Sequence, residues 1–166
     1  MVNDELHTLA AKVATQLIAH KQVLTLAESC TGGLVSAVLT EISGSSAWFD
    51  SGFVVYSNQA KLDLLNVKDY HIDMFGAVSE TVAADMAVGA LIQGRATISA
   101  SITGIAGPTG GNELKPVGTV CFGWAGINKP LITTTKHFTG NRAEIRQQAT
   151  KACLEGLLSL TINSDL

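Results

Sequence analysis

The apolar segment Val23-Leu24-Thr25-Leu26-Ala27 runs straight into Glu28-Ser29-Cys30-Thr31-Gly32-Gly33 and then into a second apolar stretch beginning at Leu34. A short aliphatic and β-branched run reads as a strand, a polar run ending in paired glycines as a sharp turn, and apolar residues recurring at i, i+3 and i+4 as a helix. A strand that feeds a helix through so short a turn commits the chain to layers of helix on sheet.

The same alternation continues on both sides of this unit. Leu6, Leu9, Ala10, Val13 and Leu17 share one helical face, which predicts a helix over 4–20. A second strand is expected over 49–56, followed by a short helix over 59–65 that Asn66 can close in the left-handed conformation. Ser79 is placed to cap a helix over 80–93 that Gly94 ends. A third strand is expected over 97–103, then the glycine-rich loop 104–111. Strands over 118–124 and 131–138 are too close in sequence for a crossover helix, so they should pair antiparallel. Asn141, with Glu144 three residues on, forms a capping box for a last helix reaching about residue 160. The fold class that follows is α/β, a three-layer α/β/α sandwich with a mixed, mostly parallel sheet of about five strands, in one domain covering 1–166.

At 166 residues such a domain buries about two thirds of its unfolded surface and needs neither disulfide nor metal to hold it. The cysteines, Cys30, Cys121 and Cys153, are three in number and lack C-x-x-C spacing, which argues against a zinc site or a disulfide framework. A net charge of −3 without a lysine or arginine cluster speaks against duplex nucleic acid as a partner. No apolar run is long enough to span a bilayer and the polar N-terminus is unlike a signal peptide, so the expected location is the cytoplasm, with no membrane partner.

Ligands of sheets of this kind bind beyond the carboxyl ends of parallel strands, which directs attention to the loops 29–33, 57–58 and 104–111. Ser29 sits where a strand turns into a helix, with the amides of Cys30, Thr31 and Gly32 near its hydroxyl and no side chains at Gly32 and Gly33 to obstruct a ligand. Those amides suit an oxyanion or a phosphate. A serine at such a turn serves either as a helix cap or as a nucleophile, and a nucleophile needs a base. Tyr56, at a strand end, and Lys61, one turn into the next helix, can share a pocket with it. A lysine that loses its charge by partial burial can take a serine proton, while a tyrosine relays or stabilises charge. A solvated lysine beside a half-buried tyrosine is the other reading of the same spacing. Short-chain dehydrogenases use these three residue types too, but the spacing of Tyr56 and Lys61 differs from theirs, and the glycines of the 104–111 loop lack the G-x-G-x-x-G order. Arg142 and Arg146 stand in the first turns of the last helix, where a cation opposes the dipole unless an anion joins it. Arg142 is therefore either an anion ligand or half of a surface ion pair.

Taken together, Ala27-Glu28-Ser29-Cys30-Thr31-Gly32-Gly33, Gly44-Ser45-Ser46, Tyr56-Ser57-Asn58 with Lys61, Gly76-Ala77-Val78-Ser79, Thr103-Gly104-Ile105-Ala106-Gly107-Pro108, Lys115-Pro116-Val117-Gly118 and Phe138-Thr139-Gly140-Asn141-Arg142 resemble the CinA C-terminal domain family, motif by motif and in the same order. The resemblance implies hydrolysis of the carboxamide of nicotinamide mononucleotide to nicotinic acid mononucleotide and ammonia, a step of pyridine nucleotide salvage, with no metal and no cofactor. It implies Ser29 as nucleophile, Tyr56 and Lys61 as its catalytic partners, and Ser46, Thr103, Gly104 and Arg142 as holding ribose or phosphate, beside Cys30, Thr31, Gly32 and Gly33, which the turn itself offers as substrate-binding residues. It also implies a small-molecule nucleotide as ligand and a homodimer as assembly. Two other readings stand beside it: a non-catalytic nucleotide-binding module that uses the same loops, and a partner protein in competence or DNA-damage responses.

Overall fold

The computed structural model describes residues 3–162, so the outermost ends of the expected 1–166 domain lie outside the described residues. Helix α1 (Asp4–Ala19) is capped by the Asn3 side chain, which accepts from the Leu6 amide. Strand β1 (Leu24–Glu28), helix α2 (Leu34–Thr40), a 3-10 turn (Ser45–Ala47) and strand β2 (Phe49–Val54) follow. Next come α3 (Asn58–Leu65), α4 (Asp69–Phe75), α5 (Glu80–Gln93), β3 (Ile98–Gly104), β4 (Thr119–Gly126), β5 (Ile132–His137) and α6 (Arg142–Ile162).

The sheet order is β2-β1-β3-β4-β5. β1 pairs in parallel with both β2 and β3, whereas β4 runs antiparallel to β3 and β5. Four strands therefore point one way and β4 the other, which is the mixed, mostly parallel sheet expected. Helices α1, α2 and α6 pack together on one face and α3, α4 and α5 on the other. Period-2 alternation assigns the strand side chains: Leu24, Leu26, Ile98, Ala100 and Ile102 enter the larger aliphatic core under α1, α2 and α6. Ala27 joins the smaller core with Val55, Leu65, Val82 and Met86.

Strand β3 is buried on both faces, and its polar side chains are satisfied by helix α5. Ser99 Oγ donates to the Ala87 carbonyl (2.7 Å) and Ser101 Oγ to the Ala83 carbonyl (2.5 Å), while Thr103 Oγ1 donates to Ala77 (2.8 Å) just ahead of that helix. Small residues permit this close approach. A Cβ on Gly89 of α5 would stand 2.0 Å from the Leu65 carbonyl oxygen, backbone against backbone, so only glycine fits where α5 meets the end of α3.

Most expected boundaries hold within two residues, and the caps read from sequence are present. Ser79 accepts from the Val82 amide, Asn141 from Ala143 and Glu144, and Asn66 takes φ 54 and ψ 32, while Ser57, not read as a cap from sequence, accepts from the Ala60 amide. Glu144 returns to the Asn141 amide at 2.7 Å, completing the capping box. Helix α4 was not foreseen. It carries no buried residue and so no apolar period, and it is fastened by His71 Nδ1 to Asp85 Oδ2 at 2.6 Å. Among the described residues no helix is long and apolar enough to cross a membrane.

Candidate active site

The carboxyl ends of β1, β2 and β3 lie side by side, since Glu28 is in register with Val54 on one side and Ile102 on the other. The three loops expected to gather there do so. Alternation turns Ser29 toward the α3 and α5 face, the face that its neighbour across the strand pair, Thr103, shares. Helix α3 then delivers Lys61 from the same side. Lys61 is 1% exposed, and its Nζ lies 3.1 Å from Ser29 Oγ. The same nitrogen donates to the carbonyls of Val55 (2.9 Å), Tyr56 (3.2 Å) and, more weakly, Ser57 (3.5 Å).

Burial disfavours the charged amine, and it draws the Lys61 pKa below its ordinary value. No carboxylate opposes that effect: among the described residues Lys61 is in no ion pair. A neutral amine has two N–H groups and one lone pair. In that neutral form Lys61 can turn its lone pair to the Ser29 hydroxyl and accept its proton, whereas the charged form donates to Ser29 Oγ as it does to the carbonyls. Cys30, next in sequence, is unsuited to the same task. Its side chain turns into the aliphatic core, and burial pushes its thiol up to about 12.

The turn after β1 is held by a residue that motif reading did not assign. Glu28 is fully buried, and its carboxylate accepts from the amides of Gly33 (3.0 Å), Val35 (3.1 Å) and Ser36 (2.8 Å) and from Ser36 Oγ (2.7 Å). It thereby satisfies the orphan donors at the start of α2 from within the preceding strand. A carboxylate one residue before a glycine-flanked turn was the available signal. Glu28→Gln removes acceptor capacity from this cluster and is expected to cost roughly 1–3 kcal/mol of stability, read as a lower urea midpoint.

Of the amides expected around Ser29, that of Gly32 donates to the Ser29 carbonyl at 3.0 Å, and that of Gly33, next in the turn, is committed to Glu28. The amides of Cys30 and Thr31 donate to no oxygen among the described residues, and that of Cys30 lies against its own thiol. Gly32 (φ 58) and Gly33 (φ 93) both occupy the left-handed region that lets the chain turn this tightly. Gly104 closes β3 against Cys30, whose Sγ would stand 3.1 Å from an added Cβ.

Tyr56 meets Lys61 only through its carbonyl. Its phenol is 58% exposed and receives a hydrogen bond from Arg142 Nη2 at 2.8 Å, while Arg142 Nη1 donates to the Gly107 carbonyl at 2.8 Å. Arg142 therefore straps the end of β2 to the glycine-rich loop and forms no ion pair with Glu144. Arg146, one turn further along α6, donates through Nη2 to the Thr31 carbonyl at 2.7 Å. Lys61, Arg142 and Arg146 thus converge on one end of a chain whose net charge is −3, none with a carboxylate partner among the described residues.

Ser46 is elsewhere. It lies in the 3-10 turn that enters the amino end of β2, and Phe49 of that strand is in register with Leu24, the first residue of β1. The length of β1 separates it from Ser29, about 16 Å at 3.3 Å per residue. Within one chain the structure does not bring Ser46 to the other candidates. A cleft of about 400 Å³ lined by Gly76, Ala77, Val78, Ile105, Gly110 and Lys115 opens beside Thr103, within the range of small-ligand pockets of roughly 300–1,000 Å³. A larger one of about 490 Å³ between α1 and α6 contains none of the candidates. Among the described residues no three His, Cys, Asp or Glu side chains gather to hold a metal.

Comparison with known proteins identifies the family. Residues 6–161 match the family model described as the CinA C-terminal domain. The nicotinamide-nucleotide amidohydrolase PncC of Escherichia coli K12 is 48% identical over 157 residues, covering 95% of each chain. That of Pseudomonas putida is 40% identical, covering 95% of this chain and 98% of its own. A crystal structure of the competence/damage inducible protein CihA from Agrobacterium tumefaciens superposes with a TM-score of 0.93 at 40% identity, over 96% of this chain and 98% of that one.

Proposed function

Since the chain belongs to the CinA C-terminal domain family, we propose that it hydrolyses the carboxamide of nicotinamide mononucleotide to nicotinic acid mononucleotide and ammonia, using Ser29 as nucleophile and Lys61 as base. The observation that carries the reading is the buried, charge-disfavoured Lys61 amine 3.1 Å from Ser29 Oγ. Similarity at 40–48% identity to proteins named for this activity, over nearly the whole chain, supports the substrate.

In this reading Lys61 takes the Ser29 proton as Oγ attacks the carboxamide carbon. The carbonyl oxygen becomes an oxyanion and turns to the amides of Cys30 and Thr31. Lys61 returns the proton to the leaving nitrogen, and ammonia departs. Water, deprotonated by the same amine, then attacks the acyl carbon, which frees nicotinic acid mononucleotide and restores Ser29. The proton route is direct, and the Tyr56 phenol acts with Arg142 on the substrate. Arg142, Thr103, Gly104 and the adjoining cleft hold the ribose phosphate, to which the guanidinium groups of Arg142 and Arg146 lend a favourable field. Ser46 takes no part within one chain; in a homodimer it would have to act from the second copy. Pyridine nucleotide salvage places the enzyme in the cytoplasm.

The test is to incubate purified protein with nicotinamide mononucleotide and a chelator, measuring ammonia and nicotinic acid mononucleotide together, with Ser29→Ala alongside. Equal amounts of both products from wild type alone are expected. No product from wild type refutes the activity, and loss of product only with chelator refutes a metal-free mechanism.

A further inference from the structure

We infer that Arg146 is a positioning residue for this reaction: by holding the Thr31 carbonyl it sets the direction of the Cys30 N–H that receives the oxyanion. The inference rests on the Ser29 acyl-transfer reading above. It begins with two peptide planes. In a trans peptide the C=O and N–H of one plane point opposite ways, so fixing one fixes the other. The Thr31 carbonyl shares a plane with the Gly32 N–H, and the Ser29 carbonyl shares one with the Cys30 N–H. Gly32 N–H donates to the Ser29 carbonyl at 3.0 Å and so couples the two planes.

Side-chain sterics do little to keep the 31–32 plane from flipping, because Gly32 and Gly33 both lie at positive φ and glycine crosses between conformers cheaply. The Thr31 carbonyl is held instead by two donors, the Leu34 amide at 3.2 Å and Arg146 Nη2 at 2.7 Å. Arg146 makes the shorter contact and carries charge, which makes it the stronger of the two. Its guanidinium lies against the turn, 3.6 Å from where a Gly32 Cβ would stand.

Stability of the fold does not account for this arrangement. Arg146 is in no ion pair among the described residues, and its Nε is buried without a hydrogen-bond partner. Thr31 Oγ1, in the same turn and fully buried, also lacks one. Unpaired buried polar atoms are a cost to folding, and their concentration at the turn that follows the nucleophile marks a place arranged for something else. A lysine would restore the charge but not the planar fork that fixes direction.

Arg146→Ala and Arg146→Lys are compared with wild type for kcat and KM on nicotinamide mononucleotide and for urea midpoint. Both variants are expected to lose roughly 10- to 100-fold in kcat, less than complete loss of an oxyanion donor at its upper end, with KM within about threefold of wild type. Added guanidinium at non-denaturing concentration should restore part of the kcat of Arg146→Ala and none of that of Ser29→Ala. A kcat for Arg146→Lys within twofold of wild type overturns the inference, because charge alone then suffices. A loss confined to KM overturns it by making Arg146 a substrate ligand. If Arg146→Ala does not fold, Arg146→Lys carries the decision. Wild type that releases no ammonia refutes the nucleotide reading alone, for the same proteins are then compared for acyl transfer from p-nitrophenyl acetate, which needs the same serine and amide. Absence of that activity from wild type overturns both.

Discussion

Purified Ser29→Ala protein is expected to keep its fold and to lose kcat on nicotinamide mononucleotide by on the order of 10⁴-fold or more, as removal of a nucleophile does when no neighbour can replace it. The neighbour in question is Cys30, and its position in the aliphatic core with a thiol pushed up to about 12 prevents substitution. Structural cost should be small. Ser29 Oγ has one side-chain partner, Lys61, and that amine keeps its bonds to the Val55 and Tyr56 carbonyls when the hydroxyl is gone. Binding of nicotinamide mononucleotide by the variant, measured calorimetrically, should persist. Turnover retained in Ser29→Ala would mean that the hydroxyl is only a hydrogen-bond donor and that another group attacks; tight binding with no turnover by wild type would favour a nucleotide-binding module.

Lys61→Met should be nearly as damaging, with kcat falling by about 10²- to 10⁴-fold, the range that a positioned general base contributes. Methionine matches the length of the stem and leaves the buried site apolar, so the loss reports the missing amine. The pH dependence gives a second readout. Burial lowers the Lys61 pKa from the ordinary 10.5. Above the lowered value the amine is neutral and can accept a proton; below it the ammonium has no lone pair. Wild-type kcat/KM should therefore fall as pH decreases through that value, and the residual activity of Lys61→Met should lack this limb.

Stability follows the same proton with a definite sign. Between the lowered folded pKa and 10.5 the unfolded chain holds a proton on Lys61 that the folded chain does not. Stability of the wild type should rise with pH across that window, relative to Lys61→Met, and the relative penalty should be complete below the folded pKa. Urea midpoints of the two proteins at several pH values measure it. A kcat for Lys61→Met within tenfold of wild type, or an unchanged acidic limb, would remove Lys61 from the role of base.

Much of this was legible before any coordinates. Ser79 and Asn141 announce helix starts because a short polar side chain before an apolar period has one favourable use, to accept from an amide of the first turn. Spacing alone left the pairing of Ser29 with Lys61 open, with a solvated lysine as the other reading; the resemblance to the CinA C-terminal domain family implied it, and the sheet brings that strand end and helix start to one edge. Helix α4 escaped because it buries no residue and hence has no period to detect. Glu28 escaped because its place before the turn does not say which groups it meets; its four donors are assembled only when α2 folds back over the strand.

Local order is what the sequence determined by itself: most of the strands and helices, where each begins, and that the loops after the three parallel strands gather at one edge of a mixed sheet. Periodicity and capping act over a few residues, so they can be read a few residues at a time. The tertiary structure decided direction and engagement. Only the register of β1 with β2 separates Ser46 from Ser29, and only the closed turn commits the Gly32 and Gly33 amides while leaving those of Cys30 and Thr31 without an oxygen acceptor among the described residues. Only the placement of α6 brings Arg142 to the Tyr56 phenol and Arg146 to the Thr31 carbonyl. Each of these depends on a contact between residues far apart in the chain, and a hydrogen bond is set by angle and distance that spacing along the sequence does not contain.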